Sequence, residues 1–140
     1  MKSKGSRTER ELVHLFNDTK LWAAIRIAGS GLTKDSNPDV LVGNNQRYLA
    51  IECKSLKNKI KYLTEEDIAQ ITDFAERFGA EAWFGIRFDR EGWYFIKPNN
   101  LEKIKTKNYA VSLPLVKEKG LSFEELIKIK NGQSNILKNQ

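Results

Sequence analysis

The sequence predicts a single α/β domain in which helices cover a mixed β-sheet. The chain has 140 residues, 40% of them hydrophobic, which is enough to bury one core but hardly two. Two segments carry apolar residues at helical spacing, and the short apolar runs between and after them are separated by turn residues, as in strands. We expect the domain to span residues 1–130 and residues 131–140 to form a flexible tail.

The first elements are predicted from capping and turn residues. Ser6-Arg-Thr-Glu9 has the spacing of a capping box, so a helix is expected to begin near Arg7. Residues 22–28 predict a strand, followed by a polar loop that leads to Pro38.

A β-hairpin and a long helix are expected next. The apolar runs at residues 39–42 and 48–53 flank Gly43-Asn-Asn45, which is typical of a hairpin turn. Residues 57–61 are basic and carry little core pattern. Thr64-Glu-Glu-Asp67 favours a helix start, and Gly79 is placed to end that helix.

The remaining elements are shorter. Residues 82–88 and 93–96 predict two strands around a turn at residues 89–92. Beyond Pro98 we expect a helical turn at 101–104, a short strand at 109–113 and a short capped helix at 122–127.

Composition narrows the function classes. The formal net charge of +6 favours a polyanionic partner such as nucleic acid. Cys53 is the only cysteine and His14 the only histidine, so an internal disulfide is excluded and a Cys/His zinc site is not expected. No segment approaches the roughly 18 to 20 apolar residues of a membrane span, so we expect a soluble, cytoplasmic protein with no membrane partner.

One group of residues is typical of a metal-binding active site. Asp39 follows Pro38 at the head of one predicted strand, and Glu52 and Lys54 lie near the end of the next. Side chains alternate along a strand, so Glu52 and Lys54 share a face, and the hairpin places them near Asp39. Carboxylate oxygens are the ligands that Mg²⁺ prefers. Alternatively, Asp39 caps a turn while Glu52 and Lys54 form an ion pair of little energetic weight.

Other residues have either a functional or a purely structural interpretation. Glu9 is either a third metal-binding carboxylate or only the capping partner of Ser6. Ser30 either donates to a scissile phosphate or is an ordinary loop serine. Phe74 and Phe78 are either core residues or part of a two-fold dimer surface. Cys53 is interpreted as a small packing residue.

Basic residues surround the candidate site in the sequence and could track a phosphate backbone, although each could also be a solvated charge. Those taken as DNA-binding are Lys4, Arg7, Arg10, Arg26 and Lys57.

Several of these segments together resemble the archaeal-type Holliday junction resolvases, cellular or viral members of the PD-(D/E)xK nuclease superfamily. The similarity covers residues 4–96. The matching segments are Lys4-Gly-Ser-Arg-Thr-Glu9-Arg-Glu-Leu12, Ile25-Arg-Ile-Ala-Gly-Ser30, Pro38-Asp-Val40, Tyr48-Leu-Ala-Ile-Glu-Cys-Lys54, Phe74-Ala-Glu-Arg-Phe-Gly79 and Gly92-Trp-Tyr-Phe-Ile96.

The resemblance implies a restriction-endonuclease-like fold and a homodimer that nicks opposing strands of a four-way DNA junction. It implies a metal site of Glu9, Asp39, Glu52 and the Cys53 carbonyl, with Mg²⁺ as cofactor and Mn²⁺ as a substitute. Lys54 would be the catalytic lysine. Arg10, Arg26 and Ser30 match positions used for DNA contact or catalysis, and Phe74 and Phe78 match dimer-interface aromatics. A general DNA nuclease and a catalytically silent junction-binding or DNA-binding protein stay as alternatives.

Overall fold

The computed structural model describes residues 4–29 and 37–128. In these residues it has two β-sheets, four α-helices and one short 3-10 helix at Pro98–Asn100. The helices are α1 (Lys4–Asp18), α2 (Glu65–Phe78), α3 (Leu113–Lys119) and α4 (Phe123–Lys128). The strands are β1 (Ala23–Arg26), β2 (Val40–Gly43), β3 (Tyr48–Leu56), β4 (Ile60–Thr64), β5 (Glu81–Phe88), β6 (Gly92–Ile96), β7 (Glu102–Lys105), β8 (Asn108–Ser112) and β9 (Leu121–Ser122).

The larger sheet has six strands in the order β1-β2-β3-β5-β6-β9. Strands β3 and β5 are parallel, and the other neighbours in this sheet are antiparallel. The smaller sheet has the order β4-β8-β7 and is antiparallel. The predicted mixed sheet flanked by helices is therefore confirmed.

Alternating side chains of β3 feed two hydrophobic cores on opposite faces of the larger sheet. Leu49 and Ile51 point into the first core, which also contains apolar residues of α1 and α4. Ala50 and Leu56 point into the second core, which contains apolar residues of α2, α3 and the smaller sheet. Because β3 is covered on both faces, its apolar run is nearly continuous, and the polar residues at its end stand out.

Helix α2 begins and ends where its sequence predicts. Thr64 is the N-cap: its hydroxyl accepts from the amide of Asp67, and the Asp67 carboxylate accepts from the amide of Thr64. Gly79 ends the helix with a left-handed backbone (φ 88°), which favours glycine because it has no Cβ.

A buried arginine fixes the start of β3. Arg47 is 3% exposed, and its guanidinium donates to the Glu81 carboxylate at 2.8 Å and to the Leu126 carbonyl at 2.7 Å. Its guanidinium also lies 5.6 Å from the ring centre of Trp22. One side chain thus joins the β2–β3 turn to β5 and α4.

Local sequence signals were wrong at the start of α1. The helix is already formed at Lys4, so Ser6 lies inside it and is not its N-cap. The predicted strand at residues 22–28 is shorter, at Ala23–Arg26, although the Ile27 amide still donates to the Asp39 carbonyl at 2.8 Å.

The structure after β3 differs from the sequence prediction at three places. Residues 60–61 belong to β4, which pairs with β8 far along the chain. Residues 101–104 form no helical turn, because β7 pairs with β8 there. Leu113 begins helix α3 instead of ending a strand. The predicted tail at residues 131–140 lies outside the described residues. No helix of the described ranges is long and apolar enough to cross a membrane.

Candidate active site

The β2–β3 hairpin brings Asp39 beside the end of β3. Val40 pairs with Ile51, and the Asp39 amide donates to the Ile51 carbonyl at 3.0 Å. The pairing of β2 with β3 does not extend beyond this point. The next contact is made by the Asp39 side chain, whose Oδ2 accepts a hydrogen bond from the Cys53 amide at 2.8 Å. Asp39 therefore anchors the next residues of β3 by its carboxylate.

Glu52 and Lys54 lie on one face of β3, as their spacing predicts. Lys54 Nζ is 3.8 Å from Glu52 Oε2, and both side chains are about three-quarters buried. Asp39 also shares a hydrogen bond with the Glu52 carboxyl. Two carboxyl groups and one ammonium group thus converge at the open end of the hairpin.

The environment holds a proton on Glu52. Burial raises the pKa of Glu52 from 4.5 to about 8, and the negative charge of Asp39 adds to the rise. The ammonium of Lys54, 3.8 Å from Glu52 Oε2, lowers this pKa but offsets only part of the rise. Asp67, in the first turn of α2, also raises the pKa of Glu52. From the sequence, Asp67 is predicted only to belong to the start of a helix.

Glu9 faces the same centre from α1. Arg26 Nε donates to Glu9 Oε1 at 3.0 Å, and the two side chains are 23% and 14% exposed, respectively. Burial raises the pKa of the Glu9 carboxyl, with a further contribution from Asp39, while Arg26 lowers it. The capping reading of Glu9 is excluded, since Ser6 is not an N-cap, and Glu9 instead lies near Asp39 and binds Arg26.

The chemistry of these donors fits a divalent cation. Asp39 and Glu52 are two carboxyl groups packed together out of water, and a bound cation would favour the ionised form of both. In an extended strand the N–H and C=O of one residue point to the same side, so the Cys53 carbonyl faces the Asp39 side, as its amide does. Within residues 4–29 and 37–128, no three His, Cys, Asp or Glu side chains are grouped closely enough to hold a metal ion. Glu9 is turned toward Arg26.

The Cys53 side chain fits the predicted packing role. It packs against the first core, on the face opposite Glu52 and Lys54. Burial raises the pKa of the Cys53 thiol well above its usual value, and the nearby carboxylates raise it further. The sulfur is therefore neutral and contributes no thiolate ligand.

The structure describes the side chains of four of the five predicted DNA-contacting residues. Arg7 and Arg10 are on α1, with Arg7 and Arg10 exposed, and Arg26 is bonded to Glu9. Lys57 is exposed in the bend that follows β3. Ser30 lies outside the described residues, and of Lys4 the structure describes only the backbone.

The two predicted interface aromatics stack on the outer side of α2. The rings of Phe74 and Phe78 are 5.2 Å apart, with an angle of 17° between their planes. Phe74 packs partly on the second core, whereas Phe78 is 57% exposed. An exposed ring at this position contributes little to the fold of one chain.

The sequence matches one protein family and several curated relatives. Residues 1–135 match the family model described as archaeal Holliday junction resolvase (Hjc). The chain is 38% identical over 135 residues to the crossover junction endodeoxyribonuclease Hjc of Archaeoglobus fulgidus, covering 89% of this chain and 96% of that one. It is 37% identical over 129 residues to the Sulfurisphaera tokodaii enzyme of the same name, covering 91% and 88%.

A solved structure agrees with the fold. The structure of Archaeoglobus fulgidus Hjc, a Holliday junction resolvase, superimposes with a TM-score of 0.79 at 34% identity, covering 86% of this chain and 96% of that one. By its sequence and its fold, this chain belongs to the archaeal Holliday junction resolvase family.

Proposed function

We propose that the protein is a structure-selective endonuclease that resolves four-way DNA junctions by paired phosphodiester cleavage. The observation that carries this function is the close approach of Asp39, Glu52 and Lys54 at the end of the β2–β3 hairpin. The relatives named crossover junction endodeoxyribonucleases support the substrate class.

The cofactor proposed is a divalent metal ion, Mg²⁺ with Mn²⁺ as a substitute. Asp39, Glu52 and the carbonyl of Cys53 would hold it, joined by Glu9 if its carboxylate leaves Arg26. Such an ion lowers the pKa of a bound water and stabilises the charge on a cleaved phosphate. Hard oxygen donors of this kind suit Mg²⁺ and Mn²⁺ rather than softer metals.

The protein's own groups then have separate tasks. Asp39 fixes the end of β3 through the Cys53 amide, which keeps Glu52 and Lys54 in position. The ammonium of Lys54 orients the attacking water and offsets negative charge on the phosphate. Ser30 would add a hydrogen bond to the phosphate. The expected backbone contacts come from Lys4, Arg7, Arg10, Arg26 and Lys57.

The active form proposed is a homodimer. The exposed, stacked Phe74 and Phe78 offer an apolar surface on α2, and two copies joined through it would present two identical centres. A four-way junction has the same two-fold symmetry, so each centre would nick one of two opposing strands. Phosphate contacts would give affinity without sequence readout.

The experiment is nicking of a synthetic four-way junction and of a linear duplex with the same sequences, in Mg²⁺ and in chelator. We expect paired nicks in the junction alone, in Mg²⁺ alone, and no nicks with Glu52→Gln. Equal cleavage of both substrates would make the protein a general nuclease. Tight junction binding without cleavage would make it a silent binding protein.

The dimer is tested by mixing. Equal amounts of wild type and Glu52→Gln, exchanged through mild dissociation, should give mixed dimers that nick one strand but rarely both. If paired nicking falls only in proportion to the wild-type concentration, the two centres do not act together.

A further inference from the structure

A pocket follows the catalytic strand directly. It has a volume of about 410 Å³ and lies between the end of β3 and the beginning of β4, lined by Ser55, Leu56, Lys57, Asn58, Ile60, Lys61 and Tyr62. Lys57 follows the catalytic Lys54 by three residues and lies in the bend after β3.

The two lysines of this pocket are available to bind an anion. Lys57 is exposed and Lys61 is half-buried, and neither forms an ion pair with a described residue. Strand β4 is an edge strand with β8 as its neighbour, so alternate backbone amides on its other side are open to a ligand. Ammonium groups beside free amides are a suitable environment for a phosphate.

An aromatic residue, Tyr62, also lines the pocket, on the face of β4 opposite to the Lys61 side chain. Tyr62 is 63% exposed, and neighbouring Ile60 is 46% exposed, although both are in a strand whose next residue, Leu63, is buried in the second core. The fold of the chain does not use the Tyr62 ring for packing. Bases and sugars pack on such exposed rings in proteins that bind unpaired nucleotides.

We propose that this pocket, the β3–β4 pocket, binds one unstacked nucleotide at the branch point of the junction. Its phosphate lies against Lys57, and its base stacks on Tyr62. The inference rests on the proposed function, because it names the part of the substrate that this surface recognises. A duplex offers no unstacked nucleotide, so the pocket favours branched over linear DNA.

Binding is measured without cleavage, in chelator, with a four-way junction that carries 2-aminopurine at the branch point. Wild type should change the fluorescence of this base, and Tyr62→Leu should lose that change and bind the junction about 10-fold more weakly. Tyr62→Phe, which keeps the ring, should match wild type. Affinity for a linear duplex should stay the same in all three proteins.

The control variants change a ring at the other end of β3 and a lysine in α4. Tyr48→Leu removes a partly exposed ring at the first residue of β3 and should leave branch-point fluorescence unchanged. Lys57→Gln should lower the slope of log affinity against log salt by about 0.7. Lys128→Gln, in α4 next to the segment bound by Arg47, should leave that slope unchanged.

The proposal is overturned if Tyr62→Leu keeps wild-type affinity and fluorescence. It is also overturned if Tyr62→Leu changes the molecular mass in solution, because the ring would then pack between chains. Nicking by wild type in Mg²⁺ is scored separately. A wild type that binds junctions through Tyr62 but does not nick them refutes the proposed function and leaves the pocket standing.

Discussion

Replacement of Glu52 by glutamine should stabilise the metal-free protein at pH 8 and leave its stability at pH 4.5 nearly unchanged. Burial and Asp39 raise the pKa of Glu52 to about 8 in the folded protein, whereas the unfolded chain has the ordinary value of 4.5. Between these values the folded protein keeps a proton that the unfolded chain releases. Unfolding therefore becomes more favourable as pH rises through this window.

The size of the effect follows from the pKa difference. Each pH unit in the window lowers the free energy of unfolding by up to about 1.4 kcal/mol. Across the whole window the upper limit is roughly 5 kcal/mol. The Glu52 side chain is 27% exposed and partly screened by water, so the measured loss should be a fraction of that limit, a few kcal/mol.

Urea denaturation in chelator, followed by tryptophan fluorescence at pH 4.5, 6 and 8, measures it. Trp22, Trp83 and Trp93 are all buried and report unfolding. The stability of wild type relative to Glu52→Gln should decline from pH 4.5 to 8, and a divalent ion should reverse the decline, because metal binding needs the ionised carboxylate. Parallel curves for the two proteins would refute the buried, protonated state of Glu52.

The remaining predictions concern packing, capping and assembly. Arg47→Met leaves the Glu81 carboxylate without its buried partner, so the free energy of unfolding should fall by about 3 to 5 kcal/mol in urea denaturation; a loss below about 1 kcal/mol would contradict this. Thr64→Ala removes the N-cap of α2 and should cost about 1 kcal/mol in the same assay, whereas no change would mean that the cap bond to Asp67 has no net weight. Phe78→Asp should convert the proposed dimer to a monomer in sedimentation while the melting temperature stays within a few degrees; an unchanged dimer mass would place the dimer surface elsewhere.

The elements that were predicted correctly carry their signals locally. The β2–β3 hairpin follows from Gly43-Asn-Asn45, and α2 follows from the pair Thr64 and Asp67. Side-chain alternation alone placed Glu52 and Lys54 on one face of β3.

The elements that were missed depend on distant partners or on a misread signal. Strand β7 is exposed along its whole length and forms because β8 is beside it, so its sequence has no buried face to detect. Helix α3 did have a signal: the Ser112 hydroxyl accepts from the Leu115 amide, and Pro114 lies in the first turn, where proline favours a helix start.

Site contacts between distant residues could not be predicted from spacing. Arg26 and Glu9 are 17 positions apart and belong to different elements, so their ion pair, and with it the exclusion of a capping role for Glu9, needed the fold. The same is true of Asp67, whose charge reaches Glu52 only because α2 begins beside the end of β3.

The most direct test of the central claim separates catalysis from binding at one centre. Single-turnover nicking of a four-way junction in Mg²⁺ and its dissociation constant in chelator are measured for wild type, Asp39→Asn and Lys54→Gln. We expect both variants to lose at least about 100-fold in the nicking rate, as for removal of groups that stabilise charge in a transition state, while the dissociation constants stay within a few-fold. Wild-type nicking rates in either variant would contradict the assignment of Asp39 and Lys54 to the active centre.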